Sequence, residues 1–299
     1  MNTYQIANGK TRQFTAPLQM QEADLSQGLP LHLRTTINDL RQLNTDIVVL
    51  KNFLAPEEIT TVLTRLLSAP GNDPAQLEQS KTYPFSFATL NRQSPSFADE
   101  LYAYFQQCKA FTENATAQFG VDIQQKFTDI LTALNEGHPA RVLTLDNTAS
   151  YLPFTFRLIV PKKNHINLHA DNLFPQLAPE FYAPLKQVAE VHNQLSFFTV
   201  LQQPEHGGEL SLFNAAYDVA KDFNIEQQTI VLDNGTHLHA DRADEVCRQQ
   251  FNLEAGDLVL FAGGQLYHRI EEVYGTKLRI TLGGFLGYST SNSDLYYWS

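Results

Sequence analysis

Residues 166–171 read INLHAD, a run that alternates apolar and polar residues and in which an imidazole and a carboxylate stand two positions apart. Successive side chains of an extended strand point to opposite faces, so we expect His169 and Asp171 on the same face. From there the two side chains can bind one metal ion through adjacent coordination positions. An isolated His-x-Asp pair is also common at protein surfaces, so a metal site requires a further ligand elsewhere in the chain.

A third ligand is available in the run LYHRI at 266–270, which follows the apolar segment GDLVLFAGG at 256–264. Both segments are typical of strands separated by a glycine turn. If the strand that contains His268 passes beside the one that contains His169, two imidazoles and one carboxylate meet. Such a set is the facial triad of non-haem Fe(II) oxygenases, which leaves coordination positions open for substrate and O₂.

A cation and a hydroxyl follow in the segment KLRIT at 277–281. Arg279 and Thr281 share one face of the predicted strand. A buried guanidinium beside a hydroxyl is suited to bidentate binding of a terminal carboxylate. The alternative interpretation of Arg279 is a salt bridge at the rim of a barrel.

Short β-rich runs recur from about residue 150 to the C-terminus, with turn residues and no helical segments between them. We predict strands at 154–160, 166–169, 195–201, 209–213, 229–232, 258–261, 266–273 and 277–288. Evenly spaced short strands of this kind are typical of an antiparallel sandwich or barrel.

The first 150 residues are predicted to be mainly helical. An apolar strand is expected at 46–50, followed by helices from Pro56 to about residue 67, at 96–119 and at 123–134. Apolar side chains recur every three or four positions in the two later segments, which is the helical period. Because no linker marks residue 150, we expect one α+β domain over 1–299. In it, 1–150 braces and adds at least one strand to a β core formed by 151–299.

The composition restricts the partners and the location of the protein. Among 299 residues, 21 Lys and Arg face 32 Asp and Glu, so the net charge is −11, which argues against binding to a nucleic-acid backbone. No apolar run approaches the ~20 residues that span a bilayer, and the first residues lack a secretory signal. Two distant cysteines predict no disulfide framework, so we expect a cytoplasmic protein without membrane partners.

Taken together, His169-x-Asp171, His268 and Arg279-x-Thr281 within a series of short strands resemble the Fe(II)/2-oxoglutarate-dependent dioxygenase superfamily. Residues 150–290 carry the resemblance, which is nearest to the branch of free amino-acid hydroxylases and halogenases. It implies a double-stranded β-helix, a cupin-like jelly roll. It also implies Fe(II) bound by His169, Asp171 and His268, 2-oxoglutarate bound by Arg279 and Thr281, and O₂ as co-substrate.

Three positions narrow the activity that the resemblance implies. Related halogenases have Gly or Ala in place of Asp171, so we expect hydroxylation rather than halogenation. Members that demethylate nucleic acids have a second Arg six residues after the one that binds 2-oxoglutarate, where this chain has Phe285. Prolyl-hydroxylase-like members bind the same carboxylate with a Lys, and Lys277 is therefore an alternative to Arg279.

Three further residues are candidates for contact with the substrate. Arg157 lies in an apolar strand, where a charge is costly unless it is paired, so it binds a carboxylate or forms a buried ion pair. Asn172 is expected either at the mouth of the pocket or as a turn residue. Trp298, near the C-terminus, either closes over the substrate or packs against the barrel.

The sequence thus predicts an Fe(II)/2-oxoglutarate-dependent hydroxylase of a small polar metabolite, such as a free amino acid or a derivative. One alternative is a peptide or protein hydroxylase with the same iron site. Another is a cupin-type metal-binding protein without oxygenase activity, in which His237 and His239 bind the metal near Glu245. The sequence does not determine the substrate, the carbon attacked, hydroxylation as against desaturation, or the oligomeric state.

Overall fold

The structure is a computed structural model that describes residues 3–6, 9–162, 166–224, 227–232 and 235–299. Its strands are β1 (Thr3–Gln5), β2 (Thr11–Gln13), β3 (Met20–Asp24), β4 (Ile47–Lys51), β5 (Lys81–Tyr83), β6 (Ala140–Val142), β7 (Thr155–Ile159), β8 (Ile166–His169), β9 (Leu195–Gln202), β10 (His206–Gly207), β11 (Leu210–Ala216), β12 (Ala220–Asn224), β13 (Thr229–Leu232), β14 (His237–His239), β15 (Arg248–Phe251), β16 (Leu258–Phe261), β17 (Leu266–Ile270), β18 (Val273–Tyr274), β19 (Arg279–Tyr288) and β20 (Leu295–Trp298). Its helices are α1 (Thr36–Arg41), α2 (Pro56–Ser68), α3 (Phe97–Phe119), α4 (Ile123–Leu134), α5 (Phe174–Leu177) and α6 (Pro179–Val188). Within these ranges, no helix combines the length and the apolar character that crossing a bilayer requires.

The helix that was predicted to begin at Pro56 illustrates how local sequence fixes an element. Proline has no backbone N–H to donate, so it is tolerated in the first turn, where that donor has no partner in the helix. The side chain of Glu58 accepts a hydrogen bond from the backbone N–H of Ala55 at 2.9 Å. Glu57 and Glu58 also lie in the first turn, where the helix dipole favours negative charge.

Most strands belong to two sheets. The larger has nine strands in the order β3-β4-β16-β9-β19-β20-β6, with β7 paired to β19 and β5 paired to β7. The smaller has four strands in the order β15-β11-β17-β8. The remaining described strands form β1-β2, β10-β18 and β12-β13-β14.

From β7 onward the chain passes repeatedly between the two sheets. β7, β9, β16 and β19 lie in the nine-stranded sheet, whereas β8, β11, β15 and β17 form the four-stranded sheet. Neighbours within these two sets pair in the antiparallel direction. Side chains from both sets line one cavity, so the sheets face each other. This is the antiparallel arrangement that the spacing of the predicted strands indicated.

The N-terminal segments extend the nine-stranded sheet and pack against it. β4 pairs antiparallel with β16 and parallel with β3. Phe127 of α4 lies 4.9 Å from Phe197 of β9, and Phe105 of α3 lies 4.7 Å from Tyr151, measured between ring centroids. These contacts bury the apolar helix faces whose periodicity predicted the helices.

Candidate active site

His169, Asp171 and His268 meet between the two sheets. β8 and β17 are neighbours, and His268 stands directly opposite His169 in their register. The Nε2 atoms of His169 and His268 lie 3.4 and 3.5 Å from Oδ1 of Asp171. Ligands bound about 2.1 Å from one ion at right angles are roughly 3 Å apart, so the spacing suits a single metal. Among the described residues, this is the only group of at least three His, Cys, Asp or Glu side chains with such spacing.

The local backbone differs slightly from the expected strand. β8 ends at His169, and Asp171 begins a short 3₁₀ turn. Ala170 between them is still extended, with φ −125° and ψ 141°. One extended residue is enough to direct the side chains at 169 and 171 toward the same side.

Backbone hydrogen bonds orient both imidazoles. Nδ1 of His169 donates to the carbonyl oxygen of Asn167 at 2.7 Å, and Nδ1 of His268 donates to that of Leu266 at 3.0 Å. A carbonyl oxygen only accepts, so Nδ1 carries the proton and Nε2 of the neutral ring presents a lone pair. Both lone pairs face Asp171, which is the orientation that a metal-binding histidine needs.

The charges of the cluster also suit a cation. Burial lowers the pKa of His169, and the neighbouring His268 lowers it further. Burial disfavours the charged form of Asp171, but the adjacent His268 and His169 outweigh this and hold the pKa of the carboxyl well below its usual value. Neutral imidazoles and an ionised carboxylate are the forms that bind a divalent metal.

Three residues that the sequence did not single out as site residues hold Asp171 in place. Ser196 of β9 donates a hydrogen bond to Oδ2, which leaves Oδ1 facing the imidazoles. The side-chain amide of Gln194 donates to the carbonyl oxygen of Asp171 at 2.7 Å. The backbone N–H of Asp171 donates to the carbonyl oxygen of Gly263 at 2.8 Å. A Cβ at Gly263 would overlap Ser196 and the Asp171 carboxylate, so this position requires glycine for close approach.

Arg279 and Thr281 line the same space as the cluster, which we name the inner cavity, of about 50 Å³. Both side chains are buried on β19, and Nε of Arg279 has no hydrogen-bond partner among the described residues. Burial and the nearby Arg157 lower the pKa of Arg279 to about 9, with Glu209 partly opposing them. A buried guanidinium with an unused donor fits a carboxylate ligand. Lys277, the alternative anchor, is exposed and lies outside the inner cavity.

Arg157 also lines the inner cavity. It stands on β7 opposite Thr281 of β19. Burial lowers its pKa, and Asp171 partly opposes this effect. Its guanidinium has neither a hydrogen bond nor an ion pair with any residue that the structure describes. The buried ion pair that was one interpretation of Arg157 is therefore not found in this part of the chain.

Two of the residues expected to contact the substrate lie outside both cavities described here. Asn172 is buried and lines neither cavity described here, because its Oδ1 accepts a hydrogen bond from the backbone N–H of Asn193 at 2.8 Å and its Nδ2 donates to the Asn193 side chain at 3.1 Å. Trp298 is fully buried on β20, where it pairs with Phe285 of β19 and lines neither cavity. The contacts of both residues are those of the alternative interpretation, a turn residue for Asn172 and packing against the barrel for Trp298, and a substrate contact of either stays a prediction.

A second, larger space of about 310 Å³ adjoins the inner cavity, and we name it the aromatic cavity. Arg157 and Phe285 line both spaces. Six further aromatic side chains line the aromatic cavity: Phe85, Phe87, Tyr104, Phe174, Phe181 and Tyr182. No sequence motif marks this wall, whose members come from three separate parts of the chain.

The alternative metal site at His237 and His239 is not formed among the described residues. Both imidazoles are exposed on β14. The carboxylate of Glu245 accepts a hydrogen bond from the backbone N–H of His239 at 2.7 Å. These side chains belong to no group of metal-binding size in the described part of the chain.

Comparison with known proteins gives two findings. The sequence model of the carrier-protein-independent halogenase WelO5 matches residues 26–299, nearly the whole chain. No curated protein matches.

Among solved structures, an N-substituted L-amino acid dioxygenase from Burkholderia ambifaria AMMD has a TM-score of 0.56 at 16% identity, covering 89% of this chain and 91% of that one. The same dioxygenase in complex with α-ketoglutarate has a TM-score of 0.54 at 15% identity, covering 88% and 90%. At this identity the likeness shows a common fold. The chain therefore belongs to the family of the carrier-protein-independent halogenase WelO5, and it is an Fe(II)- and 2-oxoglutarate-dependent oxygenase that uses O₂.

Proposed function

We propose that the protein hydroxylates a small carboxylate-containing molecule, an amino acid or a derivative of one. The observation that carries this proposal is the carboxylate of Asp171, which lies 3.4 and 3.5 Å from the two imidazole Nε2 atoms. Related halogenases have Gly or Ala in its place, which leaves room for a halide. Here the carboxylate occupies that room, so we infer hydroxylation although the family is named after a halogenase.

His169, Asp171 and His268 would hold the iron, and Arg279 with Thr281 would bind the distal carboxylate of 2-oxoglutarate. The unused Nε of buried Arg279 supports this assignment, because an anion would satisfy it. When bound, iron and 2-oxoglutarate supply the oxidation of an unactivated C–H bond. In the balanced reaction, R–H, O₂ and 2-oxoglutarate give R–OH, succinate and CO₂.

The task of the protein is orientation and the exclusion of water. Ser196 fixes one carboxylate oxygen of Asp171 and leaves the other directed at the cluster. Asn167 and Leu266 fix the proton of each imidazole on Nδ1. Phe174 and Phe285 cover the cluster on the side of the aromatic cavity, where bulk water would otherwise compete with substrate.

We further infer that the two facing sheets form a double-stranded β-helix. The support is the repeated passage between them from β7 to β19, with each set of four strands antiparallel. A single domain over 1–299, a cytoplasmic location and the lack of a nucleic-acid partner stay predictions from the sequence.

Iron content and succinate release test the proposal together. Purified protein is loaded with Fe(II), and succinate is measured with 2-oxoglutarate over a panel of amino acids, their N-acyl derivatives and short peptides. We expect substrate-dependent succinate and a product heavier by one oxygen. Asp171→Ala should lower activity by more than about 100-fold, since even indirect partners of metal ligands are typically worth 10–100-fold.

The control is Asp99→Ala, which removes an exposed carboxylate from α3 and should change neither the iron content nor the release of succinate. Unchanged iron content and hydroxylation in Asp171→Ala would refute the site assignment. A chlorinated product from the unmodified protein in chloride buffer would refute hydroxylation in favour of halogenation. Turnover of peptides alone would replace the small-molecule substrate by a peptide.

A further inference from the structure

The aromatic cavity adjoins the metal-binding cluster across the rings of Phe174 and Phe285. The ring of Phe174 lies 5.6 Å from the ring of His169 and 5.6 Å from that of Phe285, between centroids. Arg157 and Phe285 belong to the walls of both cavities. A molecule in the aromatic cavity therefore has one end beside the cluster and beside Arg157.

The charged side chains that line this cavity are of one sign. Arg157 and Arg92 line it, and no acidic side chain does so among the described residues. Arg92 is already engaged, because it donates to the carbonyl oxygen of Leu177 and lies over the ring of Phe87, 4.9 Å from its centroid. Arg157 has no such partner in the described chain. The one acid of the inner cavity, Asp171, belongs to the metal-binding cluster.

This distribution distinguishes between two kinds of ligand. A carboxylate can pair with Arg157, whose guanidinium is half-buried and has no hydrogen bond or ion pair with any described residue. An ammonium group would enter a space with two cationic side chains and an aromatic wall but no acidic side chain, so it would lose its hydration without gaining a salt bridge to a side chain. A cavity of about 310 Å³ has the size of sites for small organic molecules, and its aromatic lining favours an apolar body.

We propose that the substrate is a carboxylic acid with a bulky apolar body and no free ammonium group, and that Arg157 binds its carboxylate. This inference rests on the proposed function and narrows it. Free amino acids are excluded, whereas amino acids with a blocked amino group and simple branched or aromatic acids fit. Arg157 would thereby bind the substrate, and Arg279 would bind 2-oxoglutarate.

The single tryptophan of the chain provides a reporter for binding. Trp298 lies 6.4 Å from Tyr182 and 6.5 Å from Phe285, between ring centroids, and both of these residues line the aromatic cavity. Tryptophan fluorescence of the metal-free protein can therefore be titrated with three probes. N-acetyl-L-leucine carries only the carboxylate, L-leucine carries both charges, and N-acetyl-L-leucinamide carries none.

We expect N-acetyl-L-leucine to bind at least tenfold more tightly than L-leucine or N-acetyl-L-leucinamide. Arg157→Gln should remove this advantage, and Arg157→Lys, which keeps the charge, should restore part of it. Arg65→Gln is the matched control, because it removes the same charge from α2, outside both cavities. The binding of the uncharged amide should be the same in all variants, which shows that the cavity is still folded.

Equal or tighter binding of L-leucine overturns the proposal, as does a full advantage of N-acetyl-L-leucine in Arg157→Gln. Loss of that advantage only in Arg279→Gln would assign the carboxylate to Arg279 and overturn it as well. Failure of all three probes to bind also contradicts it. None of these measurements needs iron, so binding without any succinate release would refute the proposed function and leave this inference standing.

Discussion

The inner cavity and the aromatic cavity share Arg157 and Phe285 but are constructed differently. Strand residues line the inner cavity, and its key side chains are fixed by register and by backbone hydrogen bonds. The aromatic cavity takes much of its wall from the segment 82–92 and from α5 and α6. That wall is held by ring contacts such as Phe87 to Phe181, 4.9 Å between centroids.

This difference indicates how one scaffold can serve several substrates. Changing a residue in the inner cavity disturbs strand pairing or the orientation of an imidazole. Changing a residue in the part of this segment beyond β5, residues 85–92, alters the shape of the aromatic cavity without touching either sheet register. The chemistry is thus tied to the sheets and the substrate to the connections, and the following substitutions test that separation.

The largest effect is expected from Gly263→Ala. The new Cβ would overlap the Ser196 hydroxyl and the Asp171 carboxylate, and both are confined between the sheets. We expect iron binding to be lost, as measured by metal analysis after loading, while circular dichroism shows a folded protein. Normal iron content in this variant would show that Asp171 can move without consequence, which contradicts a rigid inner cavity.

Arg279→Gln should mainly impair the binding of 2-oxoglutarate. Removing one member of a buried charged pair costs about 2–5 kcal/mol, and about 1.4 kcal/mol corresponds to tenfold, so KM for 2-oxoglutarate should rise roughly 100-fold. Steady-state kinetics with varied 2-oxoglutarate measures this. Lys277→Gln is the control, since Lys277 is exposed and outside the cavity. If instead the Lys277 variant were the one impaired, the anchor would be misassigned.

Ser196→Ala should have a smaller effect on the same region. The serine holds only the outer oxygen of Asp171, and partners of this kind contribute about 10–100-fold to metal affinity, so we expect a loss near the lower end. Ser211→Ala is a matched control, because Ser211 is also a buried serine bonded to a carboxylate, that of Glu271. Competition with a chelator measures the affinity. An equal loss in both variants would indicate general destabilisation.

Phe87→Ala should have the smallest effect, and it should weaken the use of the substrate rather than the binding of iron or 2-oxoglutarate. Loss of one aromatic contact is worth about 0.5–1.5 kcal/mol, so KM for the substrate should rise roughly threefold to tenfold. Iron content and KM for 2-oxoglutarate should not change. Phe97→Ala, which removes a neighbouring ring outside the aromatic cavity, should leave all three unaltered. A comparable loss of iron in Phe87→Ala would contradict the separation of the two cavities.

The sequence predicted best those strands that carry a local signal of their own. β8, β13 and β16 have the predicted bounds, and alternation or an apolar run between turn residues marks each of them. β5 and β6, with three residues each, were missed. Strands this short exist because β7 and β20 offer them a paired edge, and that edge lies far away in sequence.

The residues of the candidate site also divide into those that a local sequence signal predicts and those that only the fold brings into place. The sequence brought His169, Asp171 and His268 together as candidates because two of them share one strand and the third lies in an apolar strand of similar character. Ser196 and Gly263 gave no local signal of their role. A serine in a strand and a glycine in a turn are ordinary, and only the crossing of β9 beside the turn after β16 places both against Asp171.

The sequence by itself determined the chemistry of this protein, since the spacing of ligands along individual strands is a local property that survives without knowledge of the fold. The tertiary structure decided which side chains line the two cavities. Seven rings from distant segments form the aromatic wall. Arg157 has no partner among the described residues because the fold places no acidic side chain within hydrogen-bonding distance of it. Whether a buried charge is compensated depends on every neighbour in space, and no local pattern along the chain records those neighbours.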